Sequence, residues 1–341
     1  MRNRIVTFGE IMLRLAPFNY ERIVQAHTLQ ATYGGGEANV AASLAQLGHS
    51  VSFVTRLPDN PLGDAAVKTM AGYGVDTALI IRGGDRIGIY FLEHGASIRP
   101  SRVTYDRSGS SMAEVQPDML DWPKIFQDAK WFHVTGITPA LSESSAATSL
   151  AAVKAAKMDG LTVSCDLNYR KKLWTREVAK QVMSGIIDYV DVVIANEEDA
   201  ADVFGIKADT TDVTSGQLET EHYKEVAARL KDLADISVVA ITLRESISAS
   251  DNNWSAMLYD GKDYFFSRKY PIHLVDRVGG GDSFGAGLIH GMIKGWKKQE
   301  ILEFAVAASA LKQTIPGDMN PVKEKEVLAV MKGDISGRVQ R

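Results

Sequence analysis

Short runs of aliphatic and β-branched residues alternate with longer stretches whose apolar positions recur every three to four residues. The apolar runs predict strands at 4–9, 50–55, 78–82, 130–135, 161–166, 190–195 and 236–243. The intervening periodicity predicts helices at about 37–47, 62–72, 142–159, 176–188, 196–204 and 222–235. Strands of this kind, separated by helices, indicate a parallel sheet covered on both faces. Sheets of this type bind ligands beyond the carboxyl ends of their strands.

Two segments break the alternation. Residues 10–33 and 86–108 hold strand-like polar and aromatic runs, including 87–93 and 102–107, with no helix between them. Both are expected to leave strands of the main sheet and to pair as a small second sheet, a lid. A lid excludes water from a reactive phosphoryl donor; two surface hairpins without a role are the alternative. Further on, 254–266 reads as a hairpin turning at Asp260 and Gly261, and helices follow at 282–295, 299–313 and 323–332. The polar, Thr-rich stretch 207–221 reads as a surface excursion. Residues 1–333 form one domain, and the tail 334–341 is expected to fray.

One stretch carries more chemistry than any other. Gly279, Gly280 and Gly281 run into Asp282 and then into an apolar helical pattern at Phe284, Ala286, Leu288, Ile289, Met292 and Ile293. A glycine turn opening a helix offers backbone N–H groups and the positive end of the helix dipole to an anion. A carboxylate there repels the anion unless it takes a proton from a group attacking it, and an anion cradle with a base is what phosphoryl transfer to an alcohol requires. The other reading of Asp282 is a helix N-cap. No Gly-Lys-Ser/Thr is present, and in the G-x-G-x-x-G register the third glycine falls on Phe284, so neither a Walker loop nor a dinucleotide fingerprint fits.

Composition narrows the classes. With 341 residues, 45% hydrophobic and 23% charged, the chain has ample material for a large core. A net charge of −4 gives no electrostatic reason to expect nucleic acid or a membrane surface. No apolar run approaches a membrane span, and residues 1–13 are too short and too interrupted for a signal peptide. The single cysteine, Cys165, suits a reducing compartment, so a cytoplasmic setting is expected. The seven histidines are scattered, without metal-ligand spacing.

Strand ends supply further candidates. The strand 161–166 is followed by Asn168 and Arg170, and Arg binds phosphate or carboxylate through paired hydrogen bonds. The strand 190–195 is followed by Asn196 and Asp199, which either favour the helix dipole or hold a hydrated magnesium ion. Gly34, Gly35 and Gly36 precede Asn39 at the start of a helix, where a ligand approaches the backbone closely. The strand period places Val103, Tyr105 and Arg107 on one face of the lid.

With these residues assembled, the chain resembles the ribokinase-like (PfkB) carbohydrate kinases. The resemblance runs from Thr7 to about Asp318 and is strongest at 34–41 and 276–282. Within the family it is most similar to 2-keto-3-deoxygluconate kinases, through the runs at 9–14, 86–90, 103–107, 241–247 and 314–318. It implies a three-layer α/β/α fold with a mostly parallel central sheet and a small β lid that often joins subunits, hence a homo-oligomer. It implies ATP and magnesium, with Asp282 as the base and the N–H groups of Gly279, Gly280, Gly281 and Asp282 as the anion hole. Asn168, Asn196 and Thr242, with Gly279 and Gly281, would face the nucleotide, and Asp199 would hold magnesium through water. Gly35, Gly36, Asn39, Tyr90, Tyr105, Arg107 and Arg170 would surround a sugar acid. Asp276 matches a position associated with a monovalent cation, potassium, in some relatives.

The chain departs from the family pattern at several positions. Arg277 and Gly280 replace Thr and Ala of the commoner anion-hole motif, Asp199 stands for Glu, and Arg244 replaces a frequent Gly. Relatives acting on neutral sugars often carry an acid near the position of Arg14, which argues against ribose or fructose. The expected activity is phosphorylation of 2-keto-3-deoxygluconate at its 6-hydroxyl, with two arginines in one pocket serving the carboxylate. The competing readings are a fructokinase-like kinase of the same fold and a non-catalytic sugar or nucleotide sensor.

Overall fold

Apolar residues on both faces of the predicted strands require two layers to cover them, and the computed structural model shows both. It describes residues 3–196, 198–207 and 216–333. Six parallel strands lie in the order β4 (Val51–Val54), β1 (Arg4–Phe8), β9 (Ala129–Thr135), β10 (Thr162–Asp166), β11 (Val192–Asn196) and β12 (Val238–Ser246). β13 (Asp251–Tyr259) extends the sheet antiparallel to β12, and both β14 (Tyr264–Phe266) and β15 (Tyr270–His273) pair antiparallel with β13.

Successive strand residues serve opposite cores. Ile5, Val192 and Val238 pack under α1 (Gly36–Gln46), α2 (Pro61–Gly72), α8 (Gly280–Lys294), α9 (Lys298–Lys312) and α10 (Glu324–Met331). Their neighbours Val6, Val193 and Val239 pack against α3 (Trp122–Phe126), α4 (Glu143–Met158), α5 (Arg176–Ile187), α6 (Asp199–Phe204) and α7 (Gly216–Lys231). The period of two thus fixes the register of each strand. Side-chain caps define several helix starts: Asn60 accepts from the N–H groups of Leu62 and Gly63, and Ser142 from that of Ser145.

The lid is a separate four-stranded sheet in the order β3 (Gln30–Gly34), β2 (Met12–Ala16), β7 (Ile89–Glu93) and β8 (Arg102–Asp106). Its small apolar centre joins Met12, Ala16, Tyr90 and Leu92 with the half-buried Val103, Tyr105 and Val278. Among the described residues no helix is long and apolar enough to cross a membrane.

Several expectations change. The run 78–82 is not a strand of the main sheet; only β6 (Ile81–Arg82) forms, and it pairs with β5 (Arg56–Leu57) in a separate two-stranded unit. Leu79 and Ile81 pack against one core and Ile80 against the other, so this apolar run caps the edge of the layers rather than extending the sheet. The second lid segment therefore follows this small unit and not a main strand. A short 3-10 turn at Pro117–Met119, α3 and β15 lay outside the predicted elements. α7 starts at Gly216, inside the expected surface excursion, while 208–215 and the tail 334–341 lie outside the described residues.

Candidate active site

The N-terminus of α8 organises the site. Gly279 is its N-cap residue, with φ 81°, and a Cβ there would run into the carbonyl oxygen of Asp318. Only glycine suits a left-handed residue with backbone so close. Gly280 N–H closes a turn on the Arg277 carbonyl (3.3 Å), and Ser283 N–H returns to the Gly279 carbonyl (2.9 Å). Among the described residues, no main-chain acceptor meets the N–H groups of Gly281 and Asp282, which open onto the cleft. These are the orphan donors of a helix start.

Asp282 does not cap this helix. It occupies the third helical position, and among the described residues no side chain caps α8. Its carboxylate instead accepts a 2.7 Å hydrogen bond from Nδ2 of Asn39 on α1. Burial raises its pKa to about 7, with Glu37 and Asp318 adding to the rise and the Asn39 hydrogen bond and Arg170 opposing it. A carboxyl group that titrates near neutrality is suited to exchanging a proton with substrate.

Asn39 is itself held. Its Oδ1 accepts from Gly35 N–H at 3.3 Å, so its amide bridges the two helix starts. The sequence reading gives Asn39 to a substrate hydroxyl, but here one donor is committed to Asp282. Two residues earlier, the buried Glu37 accepts from Thr135 N–H and Oγ1, both at 2.9 Å, and from Thr138 Oγ1 at 2.7 Å. These bonds pin α1 to the end of β9. A Cβ on Gly35 would strike the Glu10 carbonyl oxygen, and Gly36 faces Thr135 and Asp282.

The carboxyl ends of β10, β11 and β12 line the opposite side of the same cleft, which has a volume of about 400 Å³. Asn168, Arg170, Asn196, Asp199 and Thr242 all face it. Asp199 accepts from Tyr169 N–H (3.0 Å) and Asn196 N–H (2.9 Å), while Asn196 Oδ1 accepts from the N–H groups of Glu198 and Asp199. The site also includes residues to which the sequence assigns no role. Asp166, at the end of β10, lines the cleft, and burial together with the Asp199 and Asp282 carboxylates pushes its pKa well up. Arg244, Arg277, Asn252, Trp254 and Gln313 line it as well. The placement of Asp166 beside Asn168 at a strand end was the available signal for it.

The donor set suits magnesium. Among the described residues the Asp166 carboxylate has no cationic side chain in salt-bridge contact, and it accepts one long hydrogen bond, from Asn168 (3.4 Å). Arg170 offsets the charges of Asp166 and Asp199 only in part, and a divalent ion would relieve the remaining cost. Both oxygens of Asp199 already accept backbone N–H groups, which would favour a reach to such an ion through water.

The lid closes the third side with Tyr90, Tyr105 and Arg107. Val103, Tyr105 and Arg107 share the cleft-facing side, as the strand period requires. Arg107 is nevertheless paired: it is buried against Glu10, which also accepts from Ser110 Oγ. Its guanidinium lies 5.4 Å from the centre of the Tyr105 ring. Arg170 makes only a 3.1 Å hydrogen bond to the Tyr169 carbonyl, and no carboxylate pairs with it among the described residues. Of the two arginines assigned to the substrate, Arg170 is therefore the one without a salt bridge among the described residues, although its charge reaches Asp166, Asp199 and Asp282.

Arg14 takes no part in the cleft. It is 4% exposed and donates to Asp318 and Asp276, both at 2.6 Å, while Tyr90 hydroxyl also donates to Asp318. Arg14 thus ties the lid to the glycine turn, and its charge is used internally. Asp276 lies beneath the cleft and is not part of its lining. Its Oδ1 accepts from Val278 N–H (3.1 Å), and its Oδ2 from Arg14 and from Gly317 N–H (3.0 Å). With its carboxylate so occupied, Asp276 does not suit a resident monovalent cation.

Comparison with known proteins agrees with this geometry. The profile of the pfkB family of carbohydrate kinases matches residues 2–325. The structure of a 2-dehydro-3-deoxygluconokinase from Thermotoga maritima is 50% identical and superposes with a TM-score of 0.94, covering 98% of this chain and 99% of that one. A 2-dehydro-3-deoxygalactonokinase from Haloferax volcanii is 32% identical over 337 residues, 99% of each chain. A 2-dehydro-3-deoxygluconokinase from Bacillus subtilis is 27% identical, covering 96% of this chain and 95% of its own.

Proposed function

The chain belongs to the pfkB family of carbohydrate kinases, and from that premise we propose that it phosphorylates 2-keto-3-deoxygluconate at the 6-hydroxyl with ATP. The observation that carries the chemistry is Asp282, fixed by Asn39 beside the open N–H groups of Gly281 and Asp282 and titrating near neutrality. A sensor needs no base, so this arrangement disfavours the non-catalytic reading. The observation that favours an acid over a neutral sugar is Arg170, which lines the same cleft and has no salt bridge among the described residues. The likeness to the Thermotoga maritima 2-dehydro-3-deoxygluconokinase supports the gluconate-derived acid.

In this reading the Asp282 carboxylate takes the proton of the 6-hydroxyl. The freed oxygen bonds to the γ-phosphorus, the bond from that phosphorus to the β,γ-bridging oxygen breaks, and ADP leaves. The N–H groups at the start of α8 face the transferring phosphoryl group, whose charge they match in position and sign. Asn168, Asn196 and Thr242 face the nucleotide, while Tyr90, Tyr105, Arg107 and Arg170 surround the sugar acid with Gly35 and Gly36. Asp166 and, through water, Asp199 would hold magnesium, which neutralises phosphate charge when bound. The exposed Phe18, Tyr20 and Ile98 near the lid support a homo-oligomer formed through it, and the buried, unpaired Cys165 fits a cytoplasmic setting.

The test is magnesium-dependent ADP release with 2-keto-3-deoxygluconate, its galactonate-derived epimer, fructose and ribose. Turnover confined to the keto-deoxy acids supports the proposal, and turnover on fructose or ribose overturns the substrate. Arg170→Ala should raise KM for the acid by roughly tenfold or more, the value of a charge-assisted hydrogen bond. Arg107→Ala should also weaken acid binding while leaving KM for ATP nearly unchanged. A loss from Arg170→Ala that is equal for residual turnover of neutral sugars would refute the carboxylate role.

A further inference from the structure

Among the described lysines Lys312 alone is buried, at 0% exposure. A lysine is almost never fully buried unless it is paired, so its surroundings call for a reason. It is the last residue of α9, and its ammonium leaves the helix to donate to the main-chain carbonyls of Asp276 and Ile315, each at 3.2 Å. The contact with Asp276 is at the residue that leads into the glycine turn. The Lys312 Cε lies 3.3 Å from where a Cβ on Gly279 would stand, directly behind the residue that caps α8. The charged groups around it are Arg14, Asp276, Asp318 and Asp282.

This is how a protein holds a monovalent cation: carbonyl oxygens at a turn, with a carboxylate close by. Ammonium and potassium are similar in size and are satisfied by the same oxygens. Here the carbonyls are already bonded to an ammonium carried by the chain, and the Asp276 carboxylate is occupied by Arg14 and two backbone N–H groups. We propose that Lys312 is a built-in monovalent cation: a positioning residue that fixes the Asp276 and Ile315 carbonyls behind the anion hole, so that phosphoryl transfer needs no potassium. The proposal rests on the phosphoryl-transfer reading of the glycine turn and is independent of which sugar acid is the substrate.

Two arms test it. In the first, wild-type turnover and thermal midpoint are measured in KCl, NaCl and tetramethylammonium chloride at equal ionic strength and saturating substrates. Both are expected to be the same in all three salts. Activation or thermal stabilisation specific to potassium would overturn the proposal, whether or not any variant folds. In the second, Lys312→Met is compared in the same salts. Its kcat should fall by about tenfold in tetramethylammonium, less than the roughly 10²–10³ of losing an anion-hole donor outright, with KM for the sugar acid little changed. Potassium should restore part of that loss and raise the variant's melting temperature. A lysine with a merely structural role would give no potassium-specific rescue. A folded Lys312→Met with unaltered kcat in every salt would refute the positioning role. If no sugar is turned over, the kinase reading fails, whereas the potassium dependence of the two melting temperatures still decides the fate of the internal cation.

Discussion

Replacing Asp282 with Asn is expected to lower kcat by roughly 10²–10⁴, the usual contribution of a positioned base, with KM for ATP and sugar acid changing far less. Asn keeps the size of the side chain and still offers an oxygen to Nδ2 of Asn39, so the link between α1 and α8 survives. What is lost is the ability to take the proton. Because the free enzyme's Asp282 titrates at about 7 and the proposed base would work only when ionised, wild-type kcat/KM should rise with pH through that value and level off above it. The residual kcat/KM of the variant should lack that inflection. Stability moves the opposite way. A carboxyl group whose folded pKa exceeds its unfolded value leaves stability intact below the unfolded pKa and removes it as pH rises through the folded one. Above pH 7 the ionised Asp282 is therefore a burden on the fold, and Asp282→Asn should raise Tm there by about a few degrees. The change should vanish toward pH 4. Near-normal turnover with an unchanged pH profile would reduce Asp282 to part of the scaffold.

How far the sequence revealed this site depended on the kind of interaction involved. Strands apolar on both faces, such as 190–195, announced a sheet buried between layers because they are too short for a buried helix and alternate with amphipathic helices that can cover both faces. The run 78–82 carried the same signal for a different reason, since its residues cap the rim of both cores without joining the main sheet. α3 escaped because one short turn led by Trp and Pro has too few residues for a period to show. The glycine turn and Asp282 were legible as chemistry. Whether Asp282 caps the helix was not, because that rests on a φ of 81° at Gly279 and a contact from Asn39, 243 residues away. Ion pairs were the least legible part. Arg14 meets Asp276 and Asp318 from 262 and 304 residues away, and Arg107 meets Glu10 across the lid. Sequence alone therefore overstated the free positive charge in the pocket. Lys312 looked like any lysine in a last helical turn, where a cation complements the helix dipole, and only the backward path of its side chain distinguishes it.

The anion hole makes its own prediction, through two glycines that differ in what surrounds them. Gly279→Ala imposes a left-handed residue with a side chain and drives a methyl group into the Asp318 carbonyl. The strained backbone alone costs about 1–3 kcal/mol, and the collision must move either the turn or the Asp318 loop. Since Asp318 also holds Arg14 and Tyr90, the displacement passes to the lid. The N–H groups of Gly281 and Asp282 then lose their aim, and kcat should fall by roughly 10²–10³, as for loss of an oxyanion donor. Gly281→Ala should behave differently. No atom lies within 4 Å of its would-be Cβ and its φ is unremarkable, so the fold should keep its Tm. Its methyl group points instead into the space assigned to the phosphates, and KM for ATP should rise. Steady-state kinetics and thermal melts of the two variants separate these effects. If Gly279→Ala retained wild-type kcat, or if Gly281→Ala left ATP kinetics untouched, the phosphoryl group would not lie against this turn.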